Sequence, residues 1–303
     1  MALRSWLFVP GDSERKLAKA PLSGADVVIV DLEDAVAPEA KPAARRLAAE
    51  WLHVHRRQVT EGPAQAHWVR INSLGTDWWR GDLDVVLAGA PAGIVLPKCT
   101  GPEQLRQLSA ELYECEQRHG LAIGSTRIMP LAGETPAAAL SIPAYAAACA
   151  NAELPRLAGL TWGAEDLSTA LDATRKRSGS AHHGAGEWTD ALRIVRAHVL
   201  LTAHASGVLA VDTLYANFRD LDGLASIAAA SRADGFCGML AIHPDQVPVI
   251  NAAFSASEAD LAQARAIVAA FAANPGAAAL QLDGRMIEPP HLAQARRLLG
   301  LAG

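Results

Sequence analysis

The sequence predicts an α/β protein that folds as a (β/α)8 TIM barrel with a C-terminal helical extension acting as a lid. Short β-branched runs alternate with longer segments of helical periodicity over most of the chain. The alternation repeats about eight times, the number that closes a barrel. No GxGxxG follows the first β run, which disfavours the alternative, an open doubly wound sheet.

The predicted strands are short and mostly aliphatic, and several end in a polar residue. In chain order they are LRSWLFVP, DVVIVDLED, HWVRIN, GIVLPK, RIMPLAGE, LAGLTWGAED, GVLAVDT and FCGMLAIHP.

Four segments between these strands carry apolar residues at i, i+3, i+4 spacing, which predicts amphipathic helices. They are Lys41–Arg57, Pro102–Arg118, Trp188–Ser206 and Leu221–Ala233. One connection interrupts the rhythm: Asp172 to Glu187 is polar and Gly/Ser-rich, and is predicted to be a mobile loop over the strand ends.

Beyond His243–Pro244 the pattern changes, which separates a barrel domain of residues 1–252 from an extension of residues 253–303. We expect a long Ala-rich helix over Ser257–Ala273, a Gly- and Ala-containing connection, and a short helix over Pro289–Leu299. The Ala-rich face is expected to pack on the barrel or on a neighbouring subunit.

Composition excludes several classes of protein. Half of the residues are apolar (50%), and 27 Lys and Arg stand against 32 Asp and Glu, so neither a disordered chain nor a nucleic-acid-binding protein is expected. No segment is long and apolar enough for a membrane span. The 4 cysteines form no CxxC pair, so we predict a reducing, cytoplasmic location without a zinc knuckle.

Polar residues that close apolar strands are the candidate site, because barrel active sites lie at the C-terminal ends of the strands. Any one of them alone is explained better by a helix cap or a rim salt bridge. The set is Asp31, Glu33, Asp34, Arg70, Asn72, Lys98, Glu134, Glu165, Asp166, Asp212 and His243.

Glu134 and Asp166 close adjacent predicted strands, so their carboxylates are expected to converge at the mouth. Two carboxylates without His or Cys are hard oxygen ligands that suit Mg²⁺, with Mn²⁺ as a possible substitute. Arg70 would add a planar fork for a carboxylate. This combination predicts a small α-keto or α-hydroxy acid as ligand.

Lys98 allows a competing chemistry, since a buried lysine of lowered pKa forms Schiff bases with carbonyl substrates. Nearby carboxylates would raise its pKa instead. We therefore favour an ion pair of Lys98 with the acidic cluster Asp31, Glu33 and Asp34.

Longer motifs, among them DLEDAVAPEAK, GAEDL and the HPDQ segment, resemble those of the citrate lyase β-subunit-like family of the HpcH/HpaI aldolase group, in its malyl-CoA and citramalyl-CoA lyase-like branch. The resemblance covers nearly the whole chain, and DLEDAVAPEAK, GAEDL and the HPDQ segment are its most specific parts. The other motifs are RSWLFVPGD, VRIN, LPK, GET, AVDTLY and DGRMIEPPH.

The resemblance implies a Mg²⁺-dependent lyase that reversibly cleaves a 3-hydroxyacyl-CoA of the malyl-, citramalyl- or citryl-CoA type. The products would be an acyl-CoA and an α-keto acid. Carried over by position, Glu134 and Asp166 are metal ligands, and Arg70 binds the substrate carboxylate. Glu33 and Asp34 are catalytic acidic residues near the metal-bound waters, and the basic Lys41 and Arg45 follow them.

The family's lid motif usually has Asp after Met-Ile, where this chain has Glu288. That carboxylate would be a general acid/base reaching into a neighbouring subunit, which implies a homo-oligomer, a trimer or hexamer, with exchanged lids. Further departures are Gly133, in place of a common apolar residue, and Asp172, where many members have Gly.

Substrate contacts complete the expected site. Backbone N–H groups of Gly163 and Ala164, together with Lys98, would bind the substrate, and cations after the first strand, Arg15, Lys16 and Lys19, would bind the CoA phosphates. Two alternatives remain open: a thioester hydrolase on the same metal site, and a complex-dependent subunit acting on an acyl-carrier partner.

Overall fold

A computed structural model describes residues 3–56, 65–178 and 186–301. The chain divides into two compact units, Met1–Phe254 and Ser255–Gly303, which are described separately. None of the described helices combines the length and apolar composition that crossing a bilayer requires.

The first unit contains eight strands that pair in parallel in the order β5-β4-β3-β2-β1-β8-β7-β6. Their bounds are β1 Ser5–Pro10, β2 Val27–Asp31, β3 Ala66–Arg70, β4 Gly93–Cys99, β5 Arg127–Ala132, β6 Gly159–Leu160, β7 Leu209–Asp212 and β8 Gly238–Ala241. Six lie within the predicted β runs, while β3 begins one residue before its run, at Ala66, and β4 ends one residue after its run, at Cys99.

The sheet closes between β5 and the segment around β6. Ile128 N donates to Arg156 O at 2.8 Å, and Ala132 N donates to Thr161 O at 2.8 Å. These bonds bring the two edges of the sheet together. The predicted (β/α)8 barrel is confirmed, and the open doubly wound sheet is wrong.

Helices of the first unit connect successive strands, and the four predicted ones are present with small changes at their ends. The bounds are α1 Glu14–Lys19, α2 Lys41–Val54, α3 Trp79–Val86, α4 Pro102–His119, α5 Pro136–Ser141, α6 Ala144–Ala150, α7 Ala164–Ala170, α8 Asp190–Ala205, α9 Leu221–Asp234 and α10 Gln246–Ala253. The predicted end of the second helix at Arg57 lies outside the described residues, as does part of the predicted Asp172–Glu187 loop.

The barrel interior is filled by side chains that alternate along the strands. Trp6 and Trp68 meet edge to face with ring centroids 5.1 Å apart. Gly93 makes room for them, because a Cβ there would lie 2.4 Å from Trp68 Cζ3. The interior is thus a packed core, and open space is left to the mouth.

The second unit contains α11 Glu258–Ala273, a hairpin of β9 Leu280–Leu282 and β10 Arg285–Ile287, and α12 Pro289–Leu298. Both helices agree with the sequence prediction, and Ser257 caps α11 through Asp260 N. The hairpin was missed. Asp283 and Gly284 turn with φ of 49° and 77°, the positive values that an Asp-Gly two-residue turn provides.

Candidate active site

Asp31 and Arg70 are register partners at the C-terminal ends of β2 and β3. They have the same parity as Ile29 and Trp68, whose side chains fill the barrel, so both point into the mouth. Arg70 Nε donates to Asp31 Oδ1 at 2.7 Å, and Nη2 donates to Oδ2 at 2.6 Å. The guanidinium edge assigned to the substrate is therefore held by Asp31.

The rest of the Arg70 guanidinium faces the cleft. Nη1 lies 3.0 Å from Glu33 Oε2, and the ring of Phe8 lies 4.7 Å from Cζ. Burial alone would lower the pKa of Arg70, but the carboxylates around it outweigh burial and raise that pKa. Arg70 is consequently a fixed positive charge with one terminal nitrogen, Nη1, outside the Asp31 pair.

Lys98 forms the predicted ion pair with the acidic residues that follow β2. Its Nζ lies 2.6 Å from Glu33 Oε1 and 3.2 Å from Asp34 Oδ1. Asp31 takes no part, since Arg70 occupies it. Burial works to lower the pKa of Lys98, but Glu33 and Asp34 raise it above its ordinary value, so this ammonium is unsuited to Schiff-base formation.

The backbone at Lys98 serves a second purpose. The register of β4 against β5 shifts between Leu96 and Cys99, and Lys98 has a left-handed φ of 51°. This irregularity directs the Lys98 N–H at the Glu134 carboxylate, to which it donates a hydrogen bond. Glu134 is thereby oriented from the neighbouring strand.

Glu134 follows β5 and is almost completely buried, with 2% of its surface exposed. Gly133 precedes it with a φ of 85°, which glycine adopts without strain. Burial raises the pKa of Glu134 well above its ordinary value; the Lys98 N–H opposes this effect, and the Asp166 carboxylate adds to it. The predicted convergence of Glu134 and Asp166 is therefore present.

Gly163 provides the space that this pair of carboxylates needs. A Cβ at Gly163 would lie 2.5 Å from Glu134 Oε1 and 2.7 Å from its Cγ. Helix α7 begins at the next residue, Ala164, whose N–H lies 3.4 Å from Thr213 Oγ1. The first turn of α7 thus carries Asp166 to the side of Glu134.

The donor set fits Mg²⁺. Two carboxylates in contact repel one another unless a proton or a cation lies between them. The described residues hold no group of three or more His, Cys, Asp or Glu around one point. Mg²⁺ needs no such cage, since proteins commonly bind it through one or two carboxylates and leave the other positions to water and substrate.

A narrow cleft opens beside these groups. Its polar lining includes Arg70, Glu134 and Asp166 at the start of α7, together with Thr213. Its apolar lining consists mainly of Phe8, Leu131, Leu214 and Leu240. These apolar residues and the role of Asp31 were not predicted from the sequence. Side chains of inward parity on the strands, which include Phe8, Leu131 and Asp31, are the signal that points to them.

Other strand-end polar residues have structural roles. Asp212 accepts hydrogen bonds from Trp162 Nε1 and Thr213 N at 2.8 Å, from Ser231 Oγ at 2.7 Å and from Arg196 Nε at 2.9 Å. Asn72 is bound to Asp82, Glu165 to Lys176, and His243 stacks on Phe218.

The two basic positions that follow the acidic motif are structural as well. Lys41 Nζ donates to the carbonyl oxygens of Leu32 and Glu33, at 2.8 and 2.9 Å. Arg45 Nε donates to the buried Asp82 at 2.7 Å. Lys41 thus fixes the loop after β2, and Arg45 connects α2 to α3.

The remaining predicted residues are described by their own surroundings. Arg15, Lys16 and Lys19 are exposed on α1, directly after β1. Glu288, in the second unit, is the N-cap of α12, and its backbone N–H donates to His291 Nδ1 at 3.0 Å. Their expected roles stay predictions.

Comparison with known proteins identifies the relationship. Residues 4–244 match the family described as HpcH/HpaI aldolase/citrate lyase. The chain belongs to this family. Two of the positions where the sequence departs from the family motifs, Gly133 (φ 85°) and Asp172 (φ 51°), have left-handed backbone conformations.

Relatives within the HpcH/HpaI family cover the chain almost completely. It is 33% identical over 307 residues to a (3S)-malyl-CoA thioesterase of Cereibacter sphaeroides, covering 99% of this chain and 94% of that one. It is 30% identical over 315 residues to the mitochondrial citramalyl-CoA lyase of Mus musculus, covering 99% and 86%. Among solved structures, it resembles CitE from Mycobacterium tuberculosis in complex with magnesium, acetoacetate and coenzyme A. That match has a TM-score of 0.76 and 33% identity and covers 99% of this chain and 97% of that chain.

Proposed function

We propose that this chain is a Mg²⁺-dependent carbon–carbon lyase that cleaves a 3-hydroxyacyl-CoA into an acyl-CoA and an α-keto acid. The observation that carries the proposal is the contact between Glu134 and Asp166 in a cleft at the mouth of the barrel that Arg70 also lines. A buried carboxylate in contact with a half-buried one, beside a fixed guanidinium, suits a metal together with an anionic substrate. The CitE structure contains magnesium and coenzyme A, which supports the same assignment.

Glu134 and Asp166 are the residues that would hold the metal. When bound, Mg²⁺ supplies positive charge beside the substrate oxygen that becomes the keto group. Arg70 Nη1 and the N–H groups at Gly163 and Ala164 would bind and orient the substrate carboxylate. Lys98 keeps Glu33 and Asp34 charge-compensated beside this site.

Cleavage requires that the 3-hydroxyl group lose a proton, that the C2–C3 bond break, and that C2 of the thioester enolate gain a proton. We assign the hydroxyl proton to Glu33, whose Oε2 forms an ion pair with Arg70 but accepts no aligned hydrogen bond from a described donor. We assign the proton at C2 to Glu288 of a neighbouring protomer. The CoA phosphates are assigned to Arg15, Lys16 and Lys19.

Product analysis tests the reaction. The purified chain would be incubated with malyl-, citramalyl- or citryl-CoA and Mg²⁺, while α-keto acid and free thiol are measured in parallel. We expect α-keto acid and acyl-CoA in equal amounts without free thiol, loss of activity with a chelator, and recovery with Mg²⁺ or Mn²⁺. Free thiol without α-keto acid would establish a hydrolase, and inactivity on every CoA ester would favour an acyl-carrier partner.

Glu288 is tested by subunit mixing. Glu288→Gln is expected to lower turnover by roughly 10²–10⁴, the usual contribution of general acid/base catalysis. Glu288→Asp, which restores the family's residue, is expected to keep part of the activity. Mixing Glu288→Gln with Asp166→Asn chains should regenerate active sites, and no recovery despite confirmed exchange would place Glu288 outside its neighbour's site.

A further inference from the structure

We infer that Tyr145 is a positioning residue of the metal site. It binds the thiol of Cys99 and thereby holds the end of β4 in the conformation that directs the Lys98 N–H at Glu134. The inference rests on the proposed function, because Glu134 is one of the two carboxylates assigned to Mg²⁺. Its basis is the unusual backbone at the end of β4 and the buried side chains that contact this backbone.

The end of β4 has a backbone conformation that other parts of the fold must support. Lys98 has φ 51° and Gly101 has φ 153°. The register of β4 against β5 shifts between Leu96 and Cys99. A left-handed conformation is disfavoured for a residue with a side chain, and it persists where surrounding contacts fix it. Because this irregularity directs the Lys98 N–H at Glu134, the contacts that fix the segment also orient Glu134.

Tyr145, on α6, is fully buried and reaches this segment. Its side chain is 0% exposed, and its hydroxyl oxygen lies 3.1 Å from Cys99 Sγ. That sulfur is the one hydrogen-bond partner of the phenol within the part of the chain that the structure describes. Cys99 Sγ also lies 3.6 Å from Gly101 O, to which the thiol donates. Since a thiol has one hydrogen, the phenol O–H is the group that donates to the sulfur.

Both groups of this pair keep their hydrogens at neutral pH. Burial raises the pKa of the Cys99 thiol to about 11 and that of the Tyr145 phenol well above its ordinary value. The two hydrogen bonds therefore connect α6 through the thiol to the carbonyl of Gly101, across the segment that begins at Lys98.

A second contact comes from the same part of the chain. Ser141, the last residue of α5, lies with its Oγ 2.8 Å from Thr100 O, but this hydroxyl is shared with Ala138 O on its own helix, also at 2.8 Å. Helices α5 and α6 follow β5 and Glu134 along the chain. The contacts are thus reciprocal, because β4 orients Glu134 and the helices that follow Glu134 hold β4. Tyr145 makes the contact that is not shared.

Tyr145→Phe removes the hydroxyl group and keeps the ring in the core. In calorimetric titrations of the full-length chain, this variant should bind Mg²⁺ roughly tenfold more weakly than wild type, the size of effect that residues orienting a metal ligand produce. Without added metal, the Lys98 amide should exchange its hydrogen at a roughly tenfold higher rate, because its bond to Glu134 opens more often. Hydrogen-exchange mass spectrometry on overlapping peptides from the end of β4 measures that rate.

Cys99→Ala removes the other partner of the same hydrogen bond, and Cys99→Ser keeps a polar hydrogen there. The alanine variant should weaken Mg²⁺ binding by about the same factor as Tyr145→Phe, and the two changes together should cost little more than either alone, because both break one contact. The serine variant should bind Mg²⁺ within about threefold of wild type.

Cys115→Ala is the matched control, because it removes a buried thiol from α4. It should lower the free energy of unfolding much as Cys99→Ala does, since both changes leave a small cavity. It should leave Mg²⁺ affinity and the exchange of the Lys98 amide at their wild-type values.

Wild-type Mg²⁺ affinity and wild-type Lys98 exchange in Tyr145→Phe would overturn the inference and leave the lyase proposal standing. The other contacts of the segment, made by Ser141 and Gln104, would then be sufficient. Equal weakening of Mg²⁺ binding in Tyr145→Phe and Cys115→Ala would also overturn it, because a general loss of packing would be the cause. Wild type that binds no Mg²⁺ would overturn the proposed function itself.

Discussion

Two glutamates, one at each end of the barrel, are both buried, but their pKa values shift in opposite directions. Glu116 on α4 lies at the N-terminal end and is 0% exposed, while Glu134 at the mouth is 2% exposed. Glu116 accepts from Arg156 Nη1 and Nη2 at 2.7 Å, from Gly124 N at 2.7 Å and from Thr126 N at 2.8 Å. Glu134 accepts one backbone hydrogen bond from Lys98 and faces the Asp166 carboxylate.

The pKa values of the two groups follow these partners. Burial would raise the pKa of Glu116, but Arg156 and the N–H donors lower it from 4.5 to about 2. Burial raises the pKa of Glu134, and Asp166 raises it further. A buried carboxylate with all its partners supplied by the fold is structural, whereas one left short of partners has room for a cation from outside.

The largest expected effect concerns the mouth. Asp166→Asn should lower Mg²⁺ affinity and Mg²⁺-dependent turnover by roughly 10²-fold or more, because a neutral amide is a poor ligand for a hard cation. Unfolding of the metal-free protein should be no easier, since repulsion with Glu134 is relieved. The measurements are calorimetric Mg²⁺ titration and denaturant unfolding.

Glu165→Gln is the matched control, because Glu165 is the adjacent residue and pairs with Lys176 at the surface. It should leave Mg²⁺ affinity near wild type. Wild-type Mg²⁺ affinity in Asp166→Asn would show that Asp166 is no ligand, and the distinction between the two ends of the barrel would disappear.

Removing the carboxylate charge of Glu116, at the N-terminal end of the barrel, should affect the stability of the protein and not its reaction. Glu116→Gln is expected to lower the free energy of unfolding by about 3–5 kcal/mol, since it leaves the Arg156 guanidinium buried without its counter-charge. Glu111→Gln, on the same helix, breaks the surface pair with Arg80 and should cost less than about 1 kcal/mol. Equal effects in the two variants would contradict the structural role of Glu116.

The pH dependence of that stability has a defined sign. Because the pKa of Glu116 falls from 4.5 to about 2 on folding, its contribution is present above pH 4.5 and is lost as the pH falls toward 2. The wild-type unfolding free energy should therefore drop more steeply than that of Glu116→Gln over this range. Parallel curves from denaturant titrations would refute the assignment.

The sequence was sufficient to predict the barrel, because the strands are recognisable by their aliphatic composition and the predicted helices by the helical spacing of their apolar residues. Trp6, Trp68 and Gly93 illustrate what it did not reveal: which large and small residues meet inside depends on register between strands. The β9–β10 hairpin was missed although Asp283–Gly284 is a strong turn signal, because the surrounding Ala and Gly suggest an irregular connection.

At the site, spacing predicted the convergence of Glu134 and Asp166, and charge predicted the pairing of Lys98 with Glu33 and Asp34. Spacing did not show that Asp31 binds the Arg70 guanidinium. That contact requires the two residues to be register partners on neighbouring strands and both side chains to point into the barrel. Nor did spacing separate Asp212 from Glu134 and Asp166. All are strand-end acids, and the difference lies in donors from Trp162, Arg196 and Ser231, which are distant in sequence.

The smallest expected effect tests how tightly the mouth is fitted around Glu134. Gly163 has φ −112°, which alanine also adopts, so Gly163→Ala changes only the space beside the Glu134 carboxylate. The new Cβ would lie 2.5 Å from Oε1, and the carboxylate must move. We expect roughly tenfold weaker Mg²⁺ binding, the size of effect that misorienting a ligand produces.

Gly75→Ala is the control, because the atom nearest to its new Cβ would be Ser73 Oγ at 3.6 Å, and this variant should bind Mg²⁺ like wild type. Unchanged Mg²⁺ affinity in Gly163→Ala would mean that Glu134 tolerates displacement, and that the contact between Gly163 and its carboxylate is packing without consequence for the metal.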